Sequence, residues 1–140
     1  NNNIKALILD VDNTLSTHHG SRLIDGLTEW LEVIQNKGIK LIILSNSKEG
    51  RVKPFAKKIG LDYISLGLKP LPFKFFLALK RLGVKRENVA IVGDQLFTDS
   101  LGAHLSGITA IILDPILPED FLSFKIKRYF EKILFSFYKF

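Results

Sequence analysis

The sequence predicts an α/β protein built on a five-stranded parallel sheet with helices on both faces. Two observations carry that prediction. Five short apolar runs recur along the 140 residues, mostly isoleucine, leucine and valine, the content of strands buried on both faces. Four amphipathic stretches separate them, each closing on a glycine: Gly38, Gly60, Gly83 and Gly107. Strict strand–helix alternation implies right-handed crossovers and hence a parallel sheet. In such a sheet, ligands gather at the carboxyl ends of the strands.

The first run, "IKALILDV" (residues 4–11), is a buried strand by length and content. "LTEWLEVIQNKG" (27–38) sets Leu27, Trp30, Leu31 and Ile34 at helical spacing, which makes Trp30 a core residue, and stops at Gly38. "IKLIILS" (39–45) is the second strand. "KEGRVKPFAKKIG" (48–60) reads as a helix with Pro54 in its first turn, where a missing N–H is tolerated. "DYISLG" (62–67) is a short third strand. "LPFKFFLALKRLG" (71–83) is a helix with Pro72 near its start. "NVAIVGD" (88–94) is the fourth strand, "FTDSLGAHLSG" (97–107) a helix, and "TAIILDP" (109–115) a fifth strand halted by Pro115. Residues 118–140 form a last helix with acids in its first turn. Residues 1–117 are read as one domain, with 118–140 a basic amphipathic helix attached to it.

Composition narrows the class. Hydrophobic residues make up 46% and charged residues 24%, ordinary values for a soluble domain. There is no cysteine, which excludes disulfides and thiolate metal sites and fits a cytoplasmic compartment. The apolar run near the start is too short for a signal peptide or a membrane span. The net charge of +6 favours anionic partners (phosphorylated metabolites, nucleic acid or an anionic membrane surface), with plain solubility as the bland alternative.

The strand ends carry the chemistry. After the first strand come Asp10, Asp12 and Thr14; after the second, Ser45 and Asn46; after the third, Lys69; after the fourth, Asp94 and Asp99. Projected onto one sheet edge, four carboxylates cannot all remain ionised without added positive charge. A hard divalent cation such as Mg²⁺, which takes oxygen ligands and a substrate phosphate, answers that need. Asp10 and Asp94 are candidate carboxylate ligands, with the carbonyl of Asp12 as a third oxygen. Lys69 would neutralise further charge and hold a phosphate, and Ser45 would donate to it together with helix-start N–H groups. An aspartate so placed can attack phosphorus. Asp12, two residues on and on the same side of an extended chain, can exchange protons with the leaving oxygen and with water.

These residues resemble the motifs of the haloacid dehalogenase superfamily of phosphatases. D-x-D-x-T appears as Asp10 to Thr14, the second-strand Ser as Ser45, the Lys as Lys69, and G-D-x-x-x-x-D as Gly93-Asp94 to Asp99. The resemblance covers residues 4 to about 115 and implies a Rossmann-like fold. It implies Asp10 as nucleophile, Asp12 as acid and base, Asp94 as the main second metal carboxylate, and Asp99 as support for metal waters or Lys69. "SNSKEGRVKPFA", "KP" and "GDQLFTD" further resemble the YqeG-like, class IIIA branch, which includes phosphatidylglycerophosphate phosphatases. A receiver domain fits poorly, because it carries its phosphoacceptor after the third strand.

The motif gaps leave no room for a cap domain, so an open site is expected, suited to a large substrate or to closure by a partner subunit. The last helix gathers Lys125, Arg128, Lys132 and Lys139 on one side and Leu122, Ile126, Tyr129, Phe130, Ile133 and Phe137 on the other, with Phe121, Phe124 and Phe135 beside the basic residues. Such a helix fits an interfacial membrane contact, and packing or dimerisation is the alternative. The preferred expectation is a phosphatidylglycerophosphate phosphatase at a membrane surface. The alternatives are a soluble phosphatase for a metabolite or nucleic-acid phosphate, and a non-enzymatic scaffold. Nucleic acid is disfavoured because no stacking aromatics lie near the motifs. Lys48 and Arg51 sit at a helix start on the site rim and are candidate substrate contacts, as are Asn46 and Thr14. His18, His19 and Arg22 read as a solvated loop, with contact to the leaving group as the alternative. Lys57 and Lys58 are expected to face solvent, and His104 to pack or cap.

Overall fold

A computed structural model of the chain describes residues 3–12, 14–16 and 23–113. The loop residues His18, His19 and Arg22 and the helix expected over 118–140 lie outside the described residues.

The expected sheet is present. Strands β1 (Ala6–Leu9), β2 (Lys40–Leu44), β3 (Asp62–Ile64), β4 (Val89–Gly93) and β5 (Thr109–Ile112) lie in the order β3-β2-β1-β4-β5, and every neighbouring pair is parallel. Leu9 stands opposite Ile43 of β2 and Val92 of β4. Among the described residues the α-helices are α1 (Leu27–Asn36), α2 (Glu49–Ile59), α3 (Phe73–Leu82) and α4 (Leu101–Ser106). Side chains alternate across the sheet, so one face buries Ala6, Ile8, Ile42, Leu44 and Ile91 against Phe75 and Ala78 of α3 and Ala103 of α4. The other buries Leu7, Leu9, Ile43 and Val92 against Leu27 and Leu31 of α1 and Val52 and Phe55 of α2. The chain builds outward from β1 through β2 to β3, then returns to place β4 on the other side of β1. The carboxyl ends of β1 and β4 therefore flank the switch point where such sheets bind ligands. Among the described residues no second folded unit is inserted, and no helix is long and apolar enough to cross a membrane.

Three local readings differ from the sequence expectation. Pro54 lies inside α2, with five helical residues before it. The carbonyl it leaves unbonded is that of Gly50, an exposed residue open to hydration, so the helix tolerates it there. The helix expected over 97–107 divides into a π-helical turn (Leu96–Ser100) and the shorter α4. Trp30 is 37% exposed rather than core, because Leu27 and Leu31 face the sheet. Its ring borders an apolar groove of about 610 Å³ lined also by Leu7, Val92, Ile111 and Leu113.

Candidate active site

β1 ends one residue before Asp10, whose N–H still donates to the Val92 carbonyl of β4 at 2.9 Å. The ladder therefore fixes the Asp10 backbone at the switch point. Thr14 is buried and places its hydroxyl 3.4 Å from Asp10 Oδ2. β4 runs directly into Asp94, which is 1% exposed. Asp99 reaches the same place by another route. Both its own N–H (2.8 Å) and that of Ser100 (3.3 Å) donate to the Gln95 carbonyl, the longer reach of the second bond widening the turn. The Asp99 carboxylate folds back to accept the Gln95 N–H at 3.2 Å. Only glycine fits at 93, because a Cβ there would collide with the Asp99 carboxylate.

Lys69 closes the cluster. Its ammonium donates to Asp10 Oδ1 at 2.9 Å and to Asp99 Oδ1 at 2.6 Å, with its side chain 2% exposed. Asn46 holds the Lys69 backbone at both polar groups: its amide donates to the Lys69 carbonyl at 3.1 Å, and its oxygen accepts the Lys69 N–H at 2.7 Å. Asn46, expected as a substrate contact, thus has both ends of its side chain engaged in positioning the lysine.

Asp12 faces a different set. Its carboxylate accepts from the Arg51 guanidinium of α2 and from the Ser47 hydroxyl at 3.0 Å. Arg51, also expected to touch substrate, here bonds Asp12. Ser45 is buried and accepts the Ser47 N–H at 3.1 Å, which leaves its own proton to donate. Lys48 is exposed at the start of α2, Lys57 and Lys58 face solvent as expected, and His104 is exposed on α4. The role of Ser47 escaped the sequence reading. Its signal was the alternation of "SNS", which puts Ser45 and Ser47 on one side of the chain.

The electrostatics follow from the count of charges. Carboxylate oxygens of Asp10, Asp94 and Asp99 lie within 4.8 Å of one another, all buried. Lys69 bonds two of them, Asp10 and Asp99. Burial pushes the Asp10 carboxyl from 3.8 up to about 8; Lys69 pulls it down, and Asp99 and Asp94 push it further up. Burial acts to lower Lys69 as well, yet Asp10 and Asp99 outweigh it and hold the ammonium charged, above the ordinary lysine value. A buried all-oxygen donor set of three carboxylates fits a hard divalent cation.

Fold and site together define the class: the chain belongs to the haloacid dehalogenase-like hydrolases, whose family model matches residues 16–107. It is 34% identical to the probable phosphatase YqeG of Bacillus subtilis, over 96% of this chain and 78% of that one, which meets the expected YqeG kinship. It is 30% identical to the ribulose-1,5-bisphosphate 5-phosphatase of Halopiger xanaduensis over 70% of this chain, and spans 45% of that relative's length. An uncharacterized protein from Listeria monocytogenes shares the fold at a TM-score of 0.69 and 24% identity, covering 84% of this chain and 85% of that one.

Proposed function

We propose that this chain is a Mg²⁺-dependent phosphate monoester hydrolase that works through an aspartyl-phosphate on Asp10, and that its substrate is phosphatidylglycerophosphate. The observation that carries the phosphatase reading is the buried Asp10–Lys69–Asp99 arrangement beside Asp94 at the switch point.

In this reading an Asp10 oxygen attacks phosphorus and the bond to the leaving alcohol oxygen breaks. Asp12 gives that oxygen its proton. It then takes a proton from the water that attacks the aspartyl-phosphate, releasing inorganic phosphate and restoring Asp10. Arg51 and Ser47 orient the Asp12 carboxylate for both transfers. Lys69 and the Ser45 hydroxyl bind phosphate oxygens as charge builds on them. Asp10, Asp94 and the Asp12 carbonyl would hold Mg²⁺, with Asp99 supporting it through Lys69; the ion supplies the positive charge that lets a carboxylate meet a phosphate.

The lipid substrate is supported by the absence of an inserted unit over the site among the described residues; the YqeG match across nearly the whole chain supports the phosphatase reading. The test is phosphate release from phosphatidylglycerophosphate in mixed micelles with Mg²⁺. Hydrolysis of small sugar phosphates with none of the lipid would replace the lipid reading by a soluble one, which the match to a ribulose-1,5-bisphosphate 5-phosphatase favours.

A further inference from the structure

The loop that delivers Lys69 is built against the ordinary preferences of its residues. Leu66 and Leu68 take left-handed backbone conformations, φ 47° and 53°, which cost a non-glycine residue roughly 1–2 kcal/mol each and suit Gly or Asn far better. Burial does not compensate, because Leu66 is 51% and Leu68 57% exposed. The loop's shape comes from its backbone. The Leu66 N–H donates to the Ser47 carbonyl at 2.9 Å and the Gly67 N–H to the Ser45 carbonyl at 2.8 Å. Gly67 packs too closely on Leu44 and Ser45 to carry a side chain. Asparagine would adopt both backbone conformations more readily, and about half of each leucine faces outward.

They are not isolated. Leu71, Phe73 and Phe76 at the start of α3, and Leu101 at the start of α4, are exposed as well, Phe73 by 67%. Helices antiparallel to the strands begin at the carboxyl edge, so this apolar rim borders the mouth of the site. On the α2 side the rim carries the exposed Lys48 and Lys53. The nearby Glu49 is turned toward the Tyr63 hydroxyl at 2.8 Å.

Resting on the lipid reading above, we infer that this rim is a membrane-docking surface: Leu66, Leu68, Phe73 and Phe76 enter the apolar layer while Lys48 and Lys53 meet anionic headgroups. Charge decides against a second copy as occupant. Two chains of net charge +6 would face lysine to lysine across such a contact and close both site mouths, whereas an anionic surface neutralises the lysines and brings phosphate to the mouth.

The test compares the full chain with the variant L66N/L68N/F73S in flotation with vesicles of equal phosphatidylcholine and phosphatidylglycerol. Asparagine suits both left-handed positions, so the melting temperature should hold or rise, and hydrolysis of the water-soluble p-nitrophenyl phosphate should stay unchanged. Vesicle binding should weaken by about ten-fold or more, as loss of three anchoring side chains implies. Hydrolysis of vesicle-embedded phosphatidylglycerophosphate should fall with it, while a short-chain monomeric form is cleaved as before. Equal vesicle binding by the two proteins would overturn the docking surface, even if the lipid is a substrate. Weakened binding with no hydrolysis of either lipid form would uphold the surface and overturn the lipid substrate. A wild-type dimer that the variant dissociates, with vesicle binding unchanged, would assign the rim to a second copy instead.

Discussion

Replacing Asp10 with asparagine should make the metal-free protein more stable while abolishing its activity. Asp10 is buried, and its carboxyl is pushed up to about 8 from 3.8. The folded state therefore binds more protons than the unfolded state between those values, and wild-type stability falls as pH rises through that window. At ~1.36 kcal/mol per pH unit, the penalty accumulated by pH 7 approaches about 4 kcal/mol. Asparagine has the same shape, still accepts from Lys69 and carries no charge, so Asp10→Asn should recover about 2–4 kcal/mol of it. At roughly 2–4 °C per kcal/mol for a chain of this size, that is an increase of about 4–16 °C in Tm. Thermal melts in EDTA from pH 4 to pH 8 measure it. The gap between variant and wild type should be near zero at pH 4 and widen toward pH 8. Added Mg²⁺ should raise the wild-type Tm at pH 7 far more than that of the variant. A variant that melts at or below the wild type at pH 7, or a gap that does not change with pH, would refute the account of a buried Asp10 carboxyl that resists ionisation. Retained turnover would refute Asp10 as nucleophile.

Lys69→Met removes the ammonium bonded to Asp10 and Asp99; in EDTA it should cost about 3–5 kcal/mol by denaturant titration, and activity should be lost even with Mg²⁺ present. Gly93→Ala forces the Asp99 carboxylate aside and should destabilise by about 1–3 kcal/mol; equal urea midpoints for the two proteins would contradict that close approach. Arg51→Ala frees Asp12 of its guanidinium partner. Its kcat should fall about ten-fold or more with KM little changed, as expected of a residue that positions the acid and base; a rise in KM alone would instead make Arg51 a substrate contact. Asn46→Ala loosens the loop at Lys69 and should lower stability by about 1–2 kcal/mol, read in the same titration.

Much of the fold was legible because its signals are local. The runs at β1, β2 and β4 are continuous and apolar, and the glycines that end the helices sit within a turn of their expected places. Pro54 was misplaced because a proline's tolerance depends on whether the carbonyl it orphans faces water. Trp30 was misread because helical spacing identifies an apolar face without saying which of its residues the sheet covers; Leu27 and Leu31 are buried and Trp30 is not. The turn at Leu96–Ser100 carries no periodic signal. It widens so that Asp99 can meet Lys69, a partner 30 residues away.

The amino-acid sequence alone determined the class of the fold, the order of the motifs and the identity of the residues at the strand ends, since alternation, run length and spacing are properties of neighbours along the chain. Which of those polar groups meet was decided only by the folded chain. Asn46 and Arg51 read alike as candidate substrate contacts. In space one clamps the backbone of Lys69 and the other holds Asp12, because loops from separate strands converge at the switch point. The outward leucines beside Lys69 belong to the same class of fact: their conformation and exposure are set by bonds to the Ser45–Ser47 backbone, which no pattern within "SLGLKP" encodes.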